Sequence, residues 1–145
     1  MSRSNDIKYG LSMEDKLVNK FNEFFDTELS KYNDVYSTFD FHNEEDNIIV
    51  ELKSRKQNSN HYFFRNDIMI GENKIREGVE LTVLHNKNVY LCWSFNDGVV
   101  LYYKVNENSL DECNIRMGGR CDRGWDERKP TCFLPRSLCK VMELI

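Results

Sequence analysis

An α/β or α+β domain is the fold class this sequence predicts, and three observations predict it. Apolar residues recur at helical spacing early in the chain, at Leu17, Val18, Phe21, Phe24, Phe25 and Leu29. Pairs of β-branched and aromatic runs follow, the first joined across HNEED and the second around Asn96-Asp97-Gly98. A second helical pattern lies between those pairs. Helix, strands, helix, strands is the order of a mixed domain rather than of a bundle or a sandwich. The length agrees, since 145 residues suit one domain with a buried core, read as residues 1–145.

Each element has its own reason. Residues 12–31 predict the first helix, with Ser12 at the N-cap, Asp15 three residues on, and the apolar stripe on one face. Residues 35–41 and 47–54 predict a strand pair, and residues 61–64, HYFF, a third strand. Residues 67–81 carry a helical pattern weakened by Gly71 and Gly78. Residues 88–95 and 99–105 predict a hairpin, because Asn-Asp-Gly supplies the backbone conformations a tight turn needs. Residues 106–131 are polar and Gly-containing, 132–135 predict a short strand, and 136–144 a short helix or turn that closes the core. Trp93 and Phe95 read as core.

Composition narrows the classes. Hydrophobic residues are 40% and charged residues 30% of the chain, an ordinary balance for a soluble domain. No run approaches the ~18 apolar residues of a membrane span, and the N-terminus has no apolar signal region. Five cysteines without CxxC spacing predict reduced thiols in an intracellular, cytoplasmic protein. A zinc site from Cys113, Cys121, Cys132 and Cys139 is the alternative, with poor ligand spacing. A net charge of −4 argues against a passive nucleic-acid binder. Residues 114–145 nevertheless hold seven Lys/Arg against four Asp/Glu, whereas residues 1–113 hold thirteen against twenty. A basic end on an acidic body suits phosphate at one surface and metal at another; ordinary surface variation would look the same.

The segment Ile48-Ile49-Val50-Glu51-Leu52-Lys53 poses the chemical question. Alternation puts Ile48, Val50 and Leu52 on one face and Ile49, Glu51 and Lys53 on the other. An acid and a base on so apolar a strand need an explanation. If the strands pair across HNEED with partner numbers summing to 91, Asp40 lies opposite Glu51, with Cβ atoms ~5 Å apart. Two carboxylates so placed on a largely buried face repel each other unless a cation intervenes. Oxygen ligands of this kind suit Mg²⁺ or Mn²⁺. Lys53, further along that face, can hold an attacking water or offset phosphate charge. Glu14 is a third acid, placed by its spacing to Leu17, Val18 and Phe21 on the apolar stripe of its helix. The bland alternatives stay open: a helix-terminus acid for Glu14, a turn residue for Asp40, a solvated ion pair for Glu51 and Lys53. Asp46 is a rival ligand. Lys74 could face the site from the second helix. Arg116, Arg120 and Arg123 surround Gly118-Gly119 in a basic loop suited to a phosphate backbone. Gln57, His42 and His61 are weaker candidates.

These residues carry a resemblance. Glu14 on a first helix, Asp40 at a strand end and Glu51-Leu52-Lys53 in the next strand resemble the PD-(D/E)XK nuclease superfamily, with Phe39 at the motif's prolyl position. The phrases NDIMIGENKI, VYLCWSFNDGVVLYYKV and GGRCDRG are similar to small members from large DNA viruses and phages, so the resemblance covers most of the chain. It implies a restriction-endonuclease-like core, a central mixed sheet flanked by helices. It implies metal-dependent cleavage of phosphodiester bonds, with Asp40, Glu51 and Glu14 as acids at Mg²⁺ or Mn²⁺. The carbonyl of Leu52 is implied as a further ligand and Lys53 as the catalytic lysine. DNA is the implied partner, RNA stays open, and a homodimer is compatible because many small nucleases of this fold pair to cut both strands.

Two functional classes follow. One is a metal-dependent DNA endonuclease. The other is a catalytically inactive nucleic-acid-binding or virion structural protein on the same scaffold. A third, an RNA endonuclease with a metal-ligating His near the helix acid, is disfavoured because no His precedes His42.

Overall fold

The computed structural model describes residues 3–33, 37–45, 47–60, 67–118 and 128–143. It is a mixed α+β fold, as the sequence predicts. Helix α1 spans Arg3–Phe25, and strands β1 (Leu29–Lys31), β2 (Phe41–Asn43) and β3 (Ile48–Ser54) follow. Then come β4 (Asp67–Gly71), helix α2 (Glu72–His85), β5 (Asn88–Ser94) and β6 (Val100–Lys104). Helix α3 (Ser109–Glu112), β7 (Asn114–Gly118), β8 (Lys129–Pro135), a 3₁₀ turn (Arg136–Leu138) and β9 (Lys140–Val141) complete the order.

The central sheet has six strands in the order β1-β2-β3-β5-β6-β9, and a second sheet has the order β4-β8-β7. Strand β3 pairs β5 in parallel, and the other pairings of the central sheet are antiparallel. A parallel pair needs a crossover, and β4 with α2 supplies it. Both faces of the central sheet are covered. Phe21, Phe24 and Phe25 of α1 pack on Val50, Leu52, Cys92 and Val100. Ile49, Val89, Leu91 and Trp93 face Ile68, Ile70, Ile75, Cys132 and Leu134 on the other side. Burial on both faces explains why β3 and β5 are nearly continuous apolar runs.

Several boundaries differ from the sequence reading. The first helix begins at Arg3, so Ser12 lies inside it rather than at its cap. It ends at Phe25 because Asp26 adopts φ 50°, and Thr27 N–H then donates to Asn22 O at 3.1 Å. Leu29 is buried, but as a strand residue; its N–H donates to the Asn22 side chain at 2.8 Å. The first hairpin strand is Phe41–Asn43, so the turn shortens at the expense of HNEED. Asn43 holds that turn, its Oδ1 accepting from the N–H of Asn47 and Ile48. Asp67–Gly71 is a strand, not the start of a helix. Ile68 and Ile70 are buried at a period of two, and the helix starts only at Glu72. Gly78 has its own reason inside that helix: a Cβ there would meet Val105 and Val89 at 3.3–3.4 Å, so the helix approaches the sheet closely. The polar stretch after 106 contains a short helix and strand β7. Residues 61–64 lie outside the described residues.

Candidate active site

Strand β3 sits in the middle of the central sheet, so its interior positions cannot reach water. Glu51 occupies one of them and is 3% exposed. Burial pushes its carboxyl up to about 8, the neighbouring Asp40 adds to this, and Lys74 and Lys53 oppose it. Its two oxygens face two ammonium groups. Lys53 Nζ is 3.8 Å from Oε1, and Lys74 Nζ is 3.2 Å from Oε2. The alternation of β3 puts Ile49, Glu51 and Lys53 on the face that looks toward α2 and the second sheet, while Val50 and Leu52 face α1.

Asp40 enters from the bend just before the neighbouring strand β2. The β2–β3 ladder pairs Phe41 with Val50 and His42 with Ile49, and those partner numbers sum to 91. The regular ladder stops there. Phe39 belongs to the core on the α2 side and Phe41 to the core on the α1 side, although residues two apart on a strand share a face. The chain is therefore kinked at Asp40. Its N–H donates to Val50 O at 3.0 Å, and its Oδ2 accepts from Leu52 N–H at 2.7 Å. A kink next to a paired strand re-aims a side chain. Here it turns the Asp40 carboxylate against the β3 backbone, beside Glu51.

Glu14 approaches from the helix. Helix α1 packs against β3, and Glu14 is half-buried. Burial raises its carboxyl to about 7, with Asp40 the next cause and Lys31 opposing. Asp40 thus acts on both other acids. Neighbouring Asp15 takes a different partner, Lys31 Nζ at 2.7 Å.

The set fits a hard divalent cation in its chemistry: Asp40 raises the proton affinity of both Glu51 and Glu14, and Glu51 lies in mid-sheet where water cannot relieve it. It is looser than a closed cage. Among the described residues, no three His, Cys, Asp or Glu side chains stand close enough to hold one ion. Thiolate chemistry has no support among them either. Cys92, Cys113, Cys132 and Cys139 are free, and burial pushes Cys132 and Cys139 up to about 12.

Basic groups surround the acids. Lys53 is lowered from the usual lysine value, first by burial and then, against the pull of Glu51, by Lys74, Arg55 and Lys129. Its side chain keeps 38% of its surface exposed, so solvent tempers that shift. Lys74, in the first turn of α2, also donates to the carbonyl of Thr38. Arg55 and Lys129 were not among the residues singled out in the sequence. Arg55 follows Lys53 by two, one residue past the end of β3, so extending the alternation that placed Glu51 and Lys53 could have found it. Nothing in the sequence brings Lys129, at the start of β8, to β3. Arg116 lies on β7, where it pairs with Asp67 at 3.1 Å and covers the Phe133 ring. Arg120, Arg123, His61 and Asp46 lie outside the described residues. His42 stacks on Tyr32, with ring centres 4.3 Å apart, and Trp93 is buried, its Nε1–H donating to Met69 O at 3.0 Å.

The chain was compared with known proteins. No curated protein matches it. A solved structure, a Holliday junction resolvase from Archaeoglobus fulgidus, is 9% identical over 86% of this chain and 88% of its own, with a TM-score of 0.48. A family profile described as "Phage putative PDDEXK endonuclease" matches residues 8–141. That match takes in Glu14, Asp40, Glu51 and Lys53 and nearly every described element, and the chain belongs to that PDDEXK endonuclease family.

Proposed function

We propose that this protein is a Mg²⁺- or Mn²⁺-dependent DNA endonuclease. The observation that carries the reading is Glu51, a carboxylate buried in mid-sheet, with the Asp40 carboxylate on the backbone N–H of the next residue and two lysines on its oxygens. Asp40 and Glu51 would hold the metal. The carbonyl of Leu52 would add a donor, since the Leu52 N–H already ties that backbone to Asp40. Glu14 would contribute through Asp40. When bound, the ion supplies a polarised phosphate oxygen and a more acidic water. Lys53, half-exposed at the edge of the acid pair, orients that water and stabilises charge developing on the phosphate. Arg55, Lys74 and Lys129 supply positive charge for the flanking phosphates, and Arg116 extends it along β7. An intracellular location belongs to the same proposal, in keeping with the free thiols, as does action as a homodimer.

The test is cleavage of single-stranded, duplex and branched DNA, and of RNA, with Mn²⁺ and with EDTA. Metal-dependent cleavage of DNA, lost in Asp40→Ala and Glu51→Ala, is expected. No cleavage of any substrate, or cleavage untouched by both substitutions, would overturn the reading. One observation favours a second reading, a nucleic-acid-binding protein without catalysis: the two lysines balance Glu51 without any metal. Binding of DNA with no Mn²⁺ uptake would select it.

A further inference from the structure

Both oxygens of Glu51 are taken. Lys53 reaches Oε1 loosely at 3.8 Å, but Lys74 sits on Oε2 at 3.2 Å and is anchored a second time by the carbonyl of Thr38. Its side chain is 18% exposed, and its ammonium lies 5.8 Å from the centre of the Phe39 ring, next to Asp40. Thr38, Phe39 and Asp40 form the segment that carries the second acid. Lys74 therefore bridges the 38–40 segment and β3, whose carboxylates would share a cation.

We propose that Lys74 is a resident counter-cation that competes with the divalent metal for Glu51 and is drawn off by a DNA phosphate, so that metal and DNA bind cooperatively. The inference rests on the metal reading of the site. A divalent ion ligated by Glu51 would lie beside the Lys74 ammonium and be repelled by it, so Lys74 must give up Oε2 or the ion must bind weakly. Lysine suits such an exchange, being a point charge on a flexible four-carbon stem. Position suits it too: Lys74 is in the first turn of α2, at the start of an element rather than locked in its middle. A phosphate that takes the ammonium frees the carboxylate, and the metal then binds in its place. By thermodynamic reciprocity the metal must tighten DNA binding by the same factor. Lys53 has no such role, since its contact with Glu51 is longer and its side chain more exposed.

The test follows metal rather than cleavage. Mn²⁺ is titrated into the full chain at pH 8.5, and free Mn²⁺ is read by its paramagnetic resonance signal. Wild type, Lys74→Met, Lys74→Gln and Lys74→Arg are compared, with thermal melts to verify folding. Both neutral variants should bind Mn²⁺ at least ~5-fold more tightly than wild type, and Lys74→Arg should not. If Lys74→Met fails to fold, Lys74→Gln decides. A second arm measures binding of a labelled duplex by anisotropy, with and without saturating Mn²⁺, in a Lys53→Ala background to suppress turnover. Mn²⁺ should tighten DNA binding at least ~5-fold when Lys74 is present, and by a clearly smaller factor in Lys74→Met, where only the direct metal–phosphate contact remains. If wild type binds Mn²⁺ and the neutral variants bind it equally or more weakly, the Lys74 proposal fails and the metal reading stands. If no variant takes up Mn²⁺, both fall together.

Discussion

Glu51→Gln in metal-free protein separates burial of a charge from its pairing. The folded chain holds the Glu51 carboxyl at about 8, against 4.5 for an ordinary glutamate. A carboxyl raised on folding gives the folded state more protons than the unfolded state, so its contribution to stability is fully present below pH ~4.5 and is lost as pH rises through about 8. At ~1.4 kcal/mol per unit, the loss by pH 8 is on the order of 4 kcal/mol, and at pH 5 it is under about 1 kcal/mol. Glutamine keeps the shape and cannot ionise. In EDTA, Glu51→Gln should therefore be about 2–4 kcal/mol more stable than wild type at pH 8, or roughly 5–10 °C in Tm. The two proteins should converge near pH 5. Urea titrations at several pH values read this directly. Saturating Mg²⁺ at pH 8 should raise the stability of wild type and leave Glu51→Gln unchanged. A Glu51→Gln protein less stable than wild type at pH 8 would refute the reasoning, because the pairs with Lys74 and Lys53 would then outweigh the cost of burying the charge.

Three further outcomes are expected. Asp40→Asn keeps an acceptor for the Leu52 N–H but removes a charge that raises both Glu14 and Glu51, so NMR titration should find both carboxyls below their wild-type values. Lys129→Ala, at an exposed position near Lys53, should weaken DNA binding uniformly across sequences and lower the salt dependence by about one counter-ion. Gly78→Val should cost about 1–3 kcal/mol in urea unfolding, because its side chain must displace Val105 and Val89.

The faces of β3 were legible because strand alternation is local. Ile49, Glu51 and Lys53 on one side, Val50 and Leu52 on the other, needed only a period of two. The hairpin around Gly98 was legible for a similar reason: its φ of 85° suits glycine. The family was legible from the spacing of Asp40, Glu51 and Lys53 along with the wider phrases. Helix α1 was misplaced at both ends. Leu29 is apolar and in phase with the stripe, yet it is buried by pairing in β1, a non-local cause. The strand Asp67–Gly71 was hidden because Ile68-Met69-Ile70 is a continuous apolar run too short for periodicity to separate strand from helix. The kink at Asp40 is tertiary in origin. Phe39 and Phe41 anchor in cores on opposite sides of the sheet, and no sequence rule says that they must. The approach of Lys129 to Lys53 likewise depends on the second sheet folding over β3.

Lys53→Ala tests the central claim most directly, because the account gives metal binding and chemistry to different residues. Mn²⁺ binding by calorimetry and nicking of supercoiled plasmid DNA are measured on the same preparations of wild type, Glu51→Ala and Lys53→Ala. Glu51→Ala should lose both. Lys53→Ala should bind Mn²⁺ at least as well as wild type and bind DNA almost as well, yet nick at least ~100-fold more slowly, the loss expected for one preorganised donor at the transition state. Nicking at the wild-type rate by Lys53→Ala, or by Glu51→Ala without bound metal, would contradict the account.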